Sequence, residues 1–176
     1  MSPEEEIRIV RFYRDEQEDH RGRKLSEILN KSNEWLEHTH DYIQWLFPLS
    51  EPSAHNVNAP ILSFTEIERF NLDKVLRDKL IDSFKLMLQF YGLRLIECAD
   101  GGMNVTKCSS FESRRQNWLT AGNHNFLRIT RVLKSLCLLG LRKHAQALFE
   151  CLDSIYVDNK KIVGAKTFEF WCRAIR

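Results

Sequence analysis

Apolar residues recur along this chain mostly at the three- and four-residue intervals of amphipathic helices, not in the alternation of strands. Leu25, Ile28 and Leu29 mark a short helix, and Trp35 and Leu36 carry the apolar signal on after a polar break at residues 30–33. Tyr42, Ile43, Trp45, Leu46, Phe47 and Leu49 form a compact aromatic segment. Asp41 is placed to cap it, and Pro48 closes it, because the residue before a proline is pushed out of the α region. Residues 48–60, rich in Ser, Pro, His and Asn, read as a long surface loop. Ser63-Phe64-Thr65-Glu66 has capping-box spacing. A longer helix follows, with Leu72, Leu76, Leu80, Phe84, Met87, Leu88 and Tyr91 on its apolar stripe and a stop at Gly92. Leu93 to Glu97 alternate weakly before an Asp100-Gly101-Gly102 turn, a signal too faint to predict a sheet. Helical patterns then resume around Phe111 and Trp118, from Leu141 to Tyr156, and from Phe168 to Ile175.

This pattern predicts an all-α fold: a single compact bundle of about six to eight helices around a central apolar helix at about 124–139. With no repeat and no glycine-rich linker, residues 1–176 read as one domain. Residues 1–24 mix dense charge with Ile7, Ile9, Val10, Phe12 and Tyr13, and read as an arm partly docked through Phe12 and Tyr13. Composition agrees with a packed chain: 43% hydrophobic residues, eleven Phe, four Trp and four Tyr exclude intrinsic disorder, and seven Gly with four Pro exclude low-complexity structure. A chain of 20.8 kDa can bury about 70% of its unfolded surface, enough for a core without staples.

A net charge of +2 is too mild to imply nucleic acid or a membrane surface, but it is unevenly spread. Residues 1–93 carry net −5 and residues 94–176 net +7, so the second half is the better home for an anionic ligand. The five cysteines, 98, 108, 137, 151 and 172, are odd in number and show no C-x-x-C spacing. They predict neither a disulfide framework nor zinc, and they suit a reducing, intracellular and cytoplasmic setting. The acidic N-terminus lacks the apolar core of a signal peptide, and no apolar run approaches the ~20 residues needed to span a bilayer.

The segment from His124 to Leu139 breaks its own pattern. Phe126, Leu127, Ile129, Val132, Leu133 and Leu136 make it apolar over most of its circumference, yet His124, Arg128, Arg131 and Ser135 share one narrow stripe. Burying guanidinium groups is costly unless carboxylates, carbonyls or a ligand meet them. Two readings follow: internal pairing with Glu34, Glu37 or Asp41, or an anion site at the Asn123-His124-Asn125 helix start, where free amides and the dipole favour negative charge.

Other chemistry is weaker. His38 and His40, flanked by Glu37 and Asp41, invite a metal, but residues two apart on a helix point about 200° from each other and no third ligand is spaced to join them. No metal and no cofactor are expected. Cys108-Ser109-Ser110 with His124 could be cast as nucleophile and base, though no nucleophile elbow, P-loop or dinucleotide fingerprint accompanies them. The basic helix lacks the continuous face that phosphate tracking needs, so no nucleic acid is expected.

Two long segments, Leu36-Glu37-His38-Thr39-His40-Asp41-Tyr42-Ile43-Gln44-Trp45-Leu46-Phe47-Pro48-Leu49 and Asn125 to Leu136, resemble the conserved domain of the opioid growth factor receptor family. Met87 to Leu95 is similar to a third signature, and the resemblance runs from about Arg11 to Arg176. It implies a helical, receptor-like domain of a family named for binding the pentapeptide met-enkephalin, associated with the nuclear envelope, and hence at most peripheral to a membrane. The chain reads as a free-standing version of that domain. The expected function is non-enzymatic, regulatory recognition of a peptide or small anionic ligand. The candidate site joins His38, His40, Tyr42, Gln44 and Trp45 to His124, Asn125, Arg128 and Arg131. The alternative is a hydrolase- or transferase-like enzyme built on the same histidines and arginines.

Overall fold

A computed structural model describes residues 7–99 and 101–176. Contacts divide the chain into two units, residues 1–83 with 138–140 and residues 84–137 with 141–176.

The first unit begins with α1 (Arg8–Tyr13), which buries Ile9, Val10, Phe12 and Tyr13, so this part of the arm is a packed helix. Three short helices follow: α2 (Leu25–Leu29), α3 (Asn33–His38) and α4 (Ile43–Leu46). The loop after α4 is pinched by a bridge between Leu49 and Ile61, with the Leu62 N–H donating to the Leu49 carbonyl at 2.9 Å. Then come α5 (Phe64–Leu72) and the start of α6 (Lys74–Tyr91). Phe12 lies 5.1 Å from Trp45, and Tyr13 meets Phe70 edge-on at 4.8 Å while its hydroxyl donates to the Leu46 carbonyl at 2.5 Å.

The capping box at Ser63 forms as its spacing predicts, with the Glu66 N–H on Ser63 Oγ at 3.2 Å and the Ser63 N–H on Glu66 Oε2 at 3.0 Å. Glu66 also accepts from the Ile9 N–H at 2.8 Å, so one carboxylate satisfies free donors of both α1 and α5. Burial pushes its carboxyl up, against the hydrogen bonds from Ser63, Ile9 and Val10. The expected apolar stripe loses Leu72, which is 82% exposed: Asp73 breaks the helix there and separates α5 from α6.

The second unit takes the end of α6, a hairpin of β1 (Leu93–Glu97) and β2 (Met103–Lys107), then α7 (Phe111–Trp118), α8 (Asn125–Leu138), α9 (Arg142–Val163) and α10 (Ala165–Ala174). α8 runs to Leu138, one residue beyond this unit's share of it. The strands pair antiparallel, with Leu95 opposite Val105 and Leu93 opposite Lys107. β2 packs on α9 and α10 packs on α9. The Trp118 indole donates to the Tyr91 carbonyl at 3.0 Å and the Trp171 indole to the Phe126 carbonyl at 3.3 Å.

The structure corrects the all-α expectation in two respects. The chain is mostly helical but carries this small sheet, whose weak alternation in β1 reflects a strand with only Leu93 buried. A two-stranded hairpin is marginal alone, and packing against α9 supplies what its sequence lacks. The described residues form ten helices, not six to eight, because the first third folds as single turns too short to show a period.

Gly92 ends α6 at φ +76, where a Cβ would stand 2.7 Å from the Phe111 Cα. Gly92→Ala therefore meets both backbone strain and a clash with main chain. It is expected to cost roughly 2–4 kcal/mol, read as a lower urea midpoint with an unchanged m value.

Candidate functional site

The first half of the expected site lies in the first unit. Ser32 Oγ caps α3 by accepting from the Trp35 N–H at 3.2 Å, and α3 ends at His38, whose Nδ1 contacts the Glu34 carbonyl at 2.8 Å. His38 and His40 are both exposed. Tyr42 and Trp45 are fully buried. The Tyr42 hydroxyl donates to the Leu36 carbonyl at 3.1 Å and the Trp45 indole to His20 Nδ1 at 3.0 Å, so both act as core and offer no face to a ligand. Gln44 is buried, and its Oε1 accepts from Asn56 Nδ2 at 3.4 Å.

Asp41 does not cap α4, because Tyr42 holds the N-cap position. Its carboxylate instead receives Arg21 Nε at 3.0 Å, Arg23 Nη2 at 2.9 Å and His20 Nε2 at 3.3 Å. Arg23 also reaches Asp19 at 2.6 Å, whose side chain is fully buried and accepts the Arg21 and Arg23 N–H groups at 2.8 and 3.0 Å. Because His20 Nδ1 accepts from the indole, its proton sits on Nε2, facing Asp41. Arg8 and Arg23 lie over Trp45 and Trp35, at 4.8 and 5.5 Å from the ring centroids. The reading of residues 1–24 as an arm docked only through Phe12 and Tyr13 passed over this network. Its one signal was Asp19 set against Arg21 and Arg23 across Gly22, which adopts φ +74 in the turn.

The second half lies in the second unit. His124 is exposed and precedes α8. Asn123 Oδ1 accepts from the Asn125 N–H at 2.9 Å, and the Asn125 side chain is fully buried. Its Oδ1 accepts from Arg128 Nη1 at 3.2 Å, and Arg128 is only 5% exposed. Arg131 is half-buried and Ser135 fully buried. The expectation of a helix apolar nearly all round is corrected here. Leu127 is 54% exposed and Lys134 is exposed, so α8 has a solvent face, and its polar residues run from exposed His124 to buried Ser135.

Among the described residues, no group of three or more His, Cys, Asp or Glu could hold a metal ion. Burial pushes the Cys137 thiol up and the Cys151 thiol to about 11, which suits them to packing.

A family model for the opioid growth factor receptor (OGFr) conserved region matches residues 2–176. The opioid growth factor receptor of Rattus norvegicus is 44% identical over 129 residues, covering 72% of this chain and 21% of the relative. Opioid growth factor receptor-like protein 1 of Xenopus tropicalis is 45% identical over 160 residues, covering 88% of this chain and 30% of the relative. The human opioid growth factor receptor is 46% identical over 112 residues, covering 64% and 16%. The chain thus spans less than a third of the length of these curated relatives. No solved structure matches.

Two outcomes follow from this geometry. Partial burial works against the Asp41 carboxylate, but the hydrogen bonds from Arg23 and Arg21 and the charge of Arg23 hold its carboxyl below the usual range. A lowered native value stabilises the fold above the unfolded pKa of about 4, and that contribution is lost as pH falls through the native value. Asp41→Asn should cost on the order of 1 kcal/mol at neutral pH, allowing for solvent screening, and the gap from wild type should close in acid when urea unfolding is followed against pH. Arg128→Ala should remove a buried hydrogen bond to the Asn125 carbonyl and cost on the order of 1–3 kcal/mol, read by urea unfolding. Arg128→Lys should recover only part of that.

Proposed function

Because the chain belongs to the opioid growth factor receptor (OGFr) conserved-region family, we propose that it is a regulatory binding domain recognising a short peptide or another small carboxylate-bearing group, without chemical turnover. The observation that supports this best is the polar stripe along the start of α8. Exposed His124 stands before the helix, Arg131 is half-buried two turns along, and between them Arg128 is oriented by Asn125. A helix start supplies a positive dipole end, and a guanidinium one or two turns on supplies a planar fork. Together these suit a carboxylate better than an apolar ligand. In this reading His124 and Arg131 meet the ligand and Arg128 positions the helix start.

His38 and His40 contribute an exposed edge to the first unit, close in sequence to buried Tyr42, Gln44 and Trp45. The relatives are named as receptors, and opioid growth factor is the ligand in that name. A peptide ligand for this chain is the corresponding proposal. The five cysteines, none of them in a disulfide, suit work inside the cell, in the cytoplasm. Among the described residues no helix is long and apolar enough to cross a membrane.

The test is a thermal-shift and calorimetric titration with met-enkephalin and with its C-terminal amide, which lacks the carboxylate. The free acid should raise the unfolding temperature and the amide should not, since a ligand that prefers the native state stabilises it by mass action. Arg131→Gln should abolish the effect while changing apo stability by no more than about 1 kcal/mol. Equal stabilisation by acid and amide, or none by either, overturns the reading.

A further inference from the structure

The second unit carries a cleft of about 350 Å³ lined by Leu88, Leu93 and Leu95 and by Lys85, Gln89, Arg94 and Cys108. Cys108 directly follows β2, and its N–H donates to the Gly92 carbonyl at 3.0 Å, which fixes the thiol where α6 gives way to β1. Arg94 pairs with Thr106 in the hairpin register. Alternation along β2 then sets Arg94, Thr106 and Cys108 on one face. Lys85 reaches the same cleft from α6, two turns before Gly92.

Two independent features of this cleft point to the same kind of occupant. The first is its charge. Lys85 and Arg94 are exposed, and neither makes an ion pair with a described residue, whereas Arg14, Arg21, Arg23 and Lys74 each hold a carboxylate. A cleft rimmed by two uncommitted cations and no acid attracts anions. The second is the sulfur. Ser110 Oγ lies 3.1 Å from Cys108 Sγ, and the hydroxyl donates when the sulfur is a thiolate. That hydrogen bond, then the Ser110 N–H and the charge of Arg94, hold the thiol below its usual range despite partial burial. Cys98, exposed near the hairpin turn, is not among the residues that line this cleft.

We propose that this cleft docks a small carboxylate-bearing disulfide, of which glutathione disulfide is the type, and that Cys108 Sγ exchanges with it to form a reversible mixed disulfide. The Cys108 thiolate attacks one sulfur of the bound disulfide, and a new S–S bond forms as the old one breaks. The electron pair leaves on the departing half as a thiolate, which takes a proton from water. Cys108 is oxidised and one half of the small disulfide is reduced, so no further oxidant is needed, and excess small thiol reverses the step. Lys85 and Arg94 hold the carboxylates and Ser110 supports the attacking sulfur.

The experiment exposes the folded chain, near neutral pH, to glutathione disulfide, to neutral bis(2-hydroxyethyl) disulfide and to cationic cystamine, and reads each cysteine by peptide mass spectrometry over time. Cys108 should react with glutathione disulfide several-fold faster than Cys98. Its rates should fall in the order anionic, neutral, cationic, while those of Cys98 stay level. Lys85→Gln combined with Arg94→Gln should erase the preference for the anion and leave the neutral reagent nearly as fast. Cys98 reacting as fast as Cys108, or Cys108 rates indifferent to reagent charge, overturns the proposal. The wild-type series decides this alone if the double variant is unstable.

Discussion

A tryptophan can be buried only if its indole N–H finds an acceptor, and Trp45, Trp118 and Trp171 are all fully buried. Each has a different solution, and much of the surrounding structure follows from it. Trp45 donates to His20 Nδ1, which fixes the histidine tautomer, turns Nε2 towards Asp41 and so ties the 19–23 turn to the start of α4. Trp118 uses the carbonyl of Tyr91, the last residue of α6, where a helix end leaves carbonyls unpaired. Trp171 uses the Phe126 carbonyl, which also accepts from Thr130 Oγ1 at 3.0 Å, and this anchors α10 to α8. A misplacement of any of these rings would lose a large apolar surface and orphan a donor together, so these positions tolerate little movement.

Much of this was legible in the residues, and the exceptions have physical causes. The long helices, the Ser63 capping box and the stop at Gly92 were visible because each carries a local signal at a fixed spacing. The hairpin was not, because β1 has one buried residue and owes its order to α9, some fifty residues away in sequence. The polar stripe of α8 was read correctly as spacing. How deeply each member sits was not, with Arg128 and Ser135 buried and Arg131 between them half-buried, since periodicity reports which residues share a face and not how deeply that face sinks. Tyr42 and Trp45 illustrate the same ambiguity: an aromatic cluster looks alike whether it lines a binding surface or fills a core. The Asp19–Arg23–Asp41 network escaped notice because its members lie some twenty residues apart, and a dense run of mixed charge ordinarily signals solvent.

The division of the chain into units carries a consequence for how the protein is made. The first unit is discontinuous: residues 138–140 return to it from beyond most of the second, and a Cβ on Gly140 would stand 2.5 Å from Asn71 Oδ1. A nascent chain that has delivered α1 to α5 to the tunnel exit therefore still lacks a piece of its first unit until residue 140 has been translated. The growing polypeptide thus passes through a stage with its first unit incomplete, when chaperones have most to hold. For the same reason no single cut liberates the amino-terminal unit intact, and proteolysis or truncation within residues 84–137 removes part of both units.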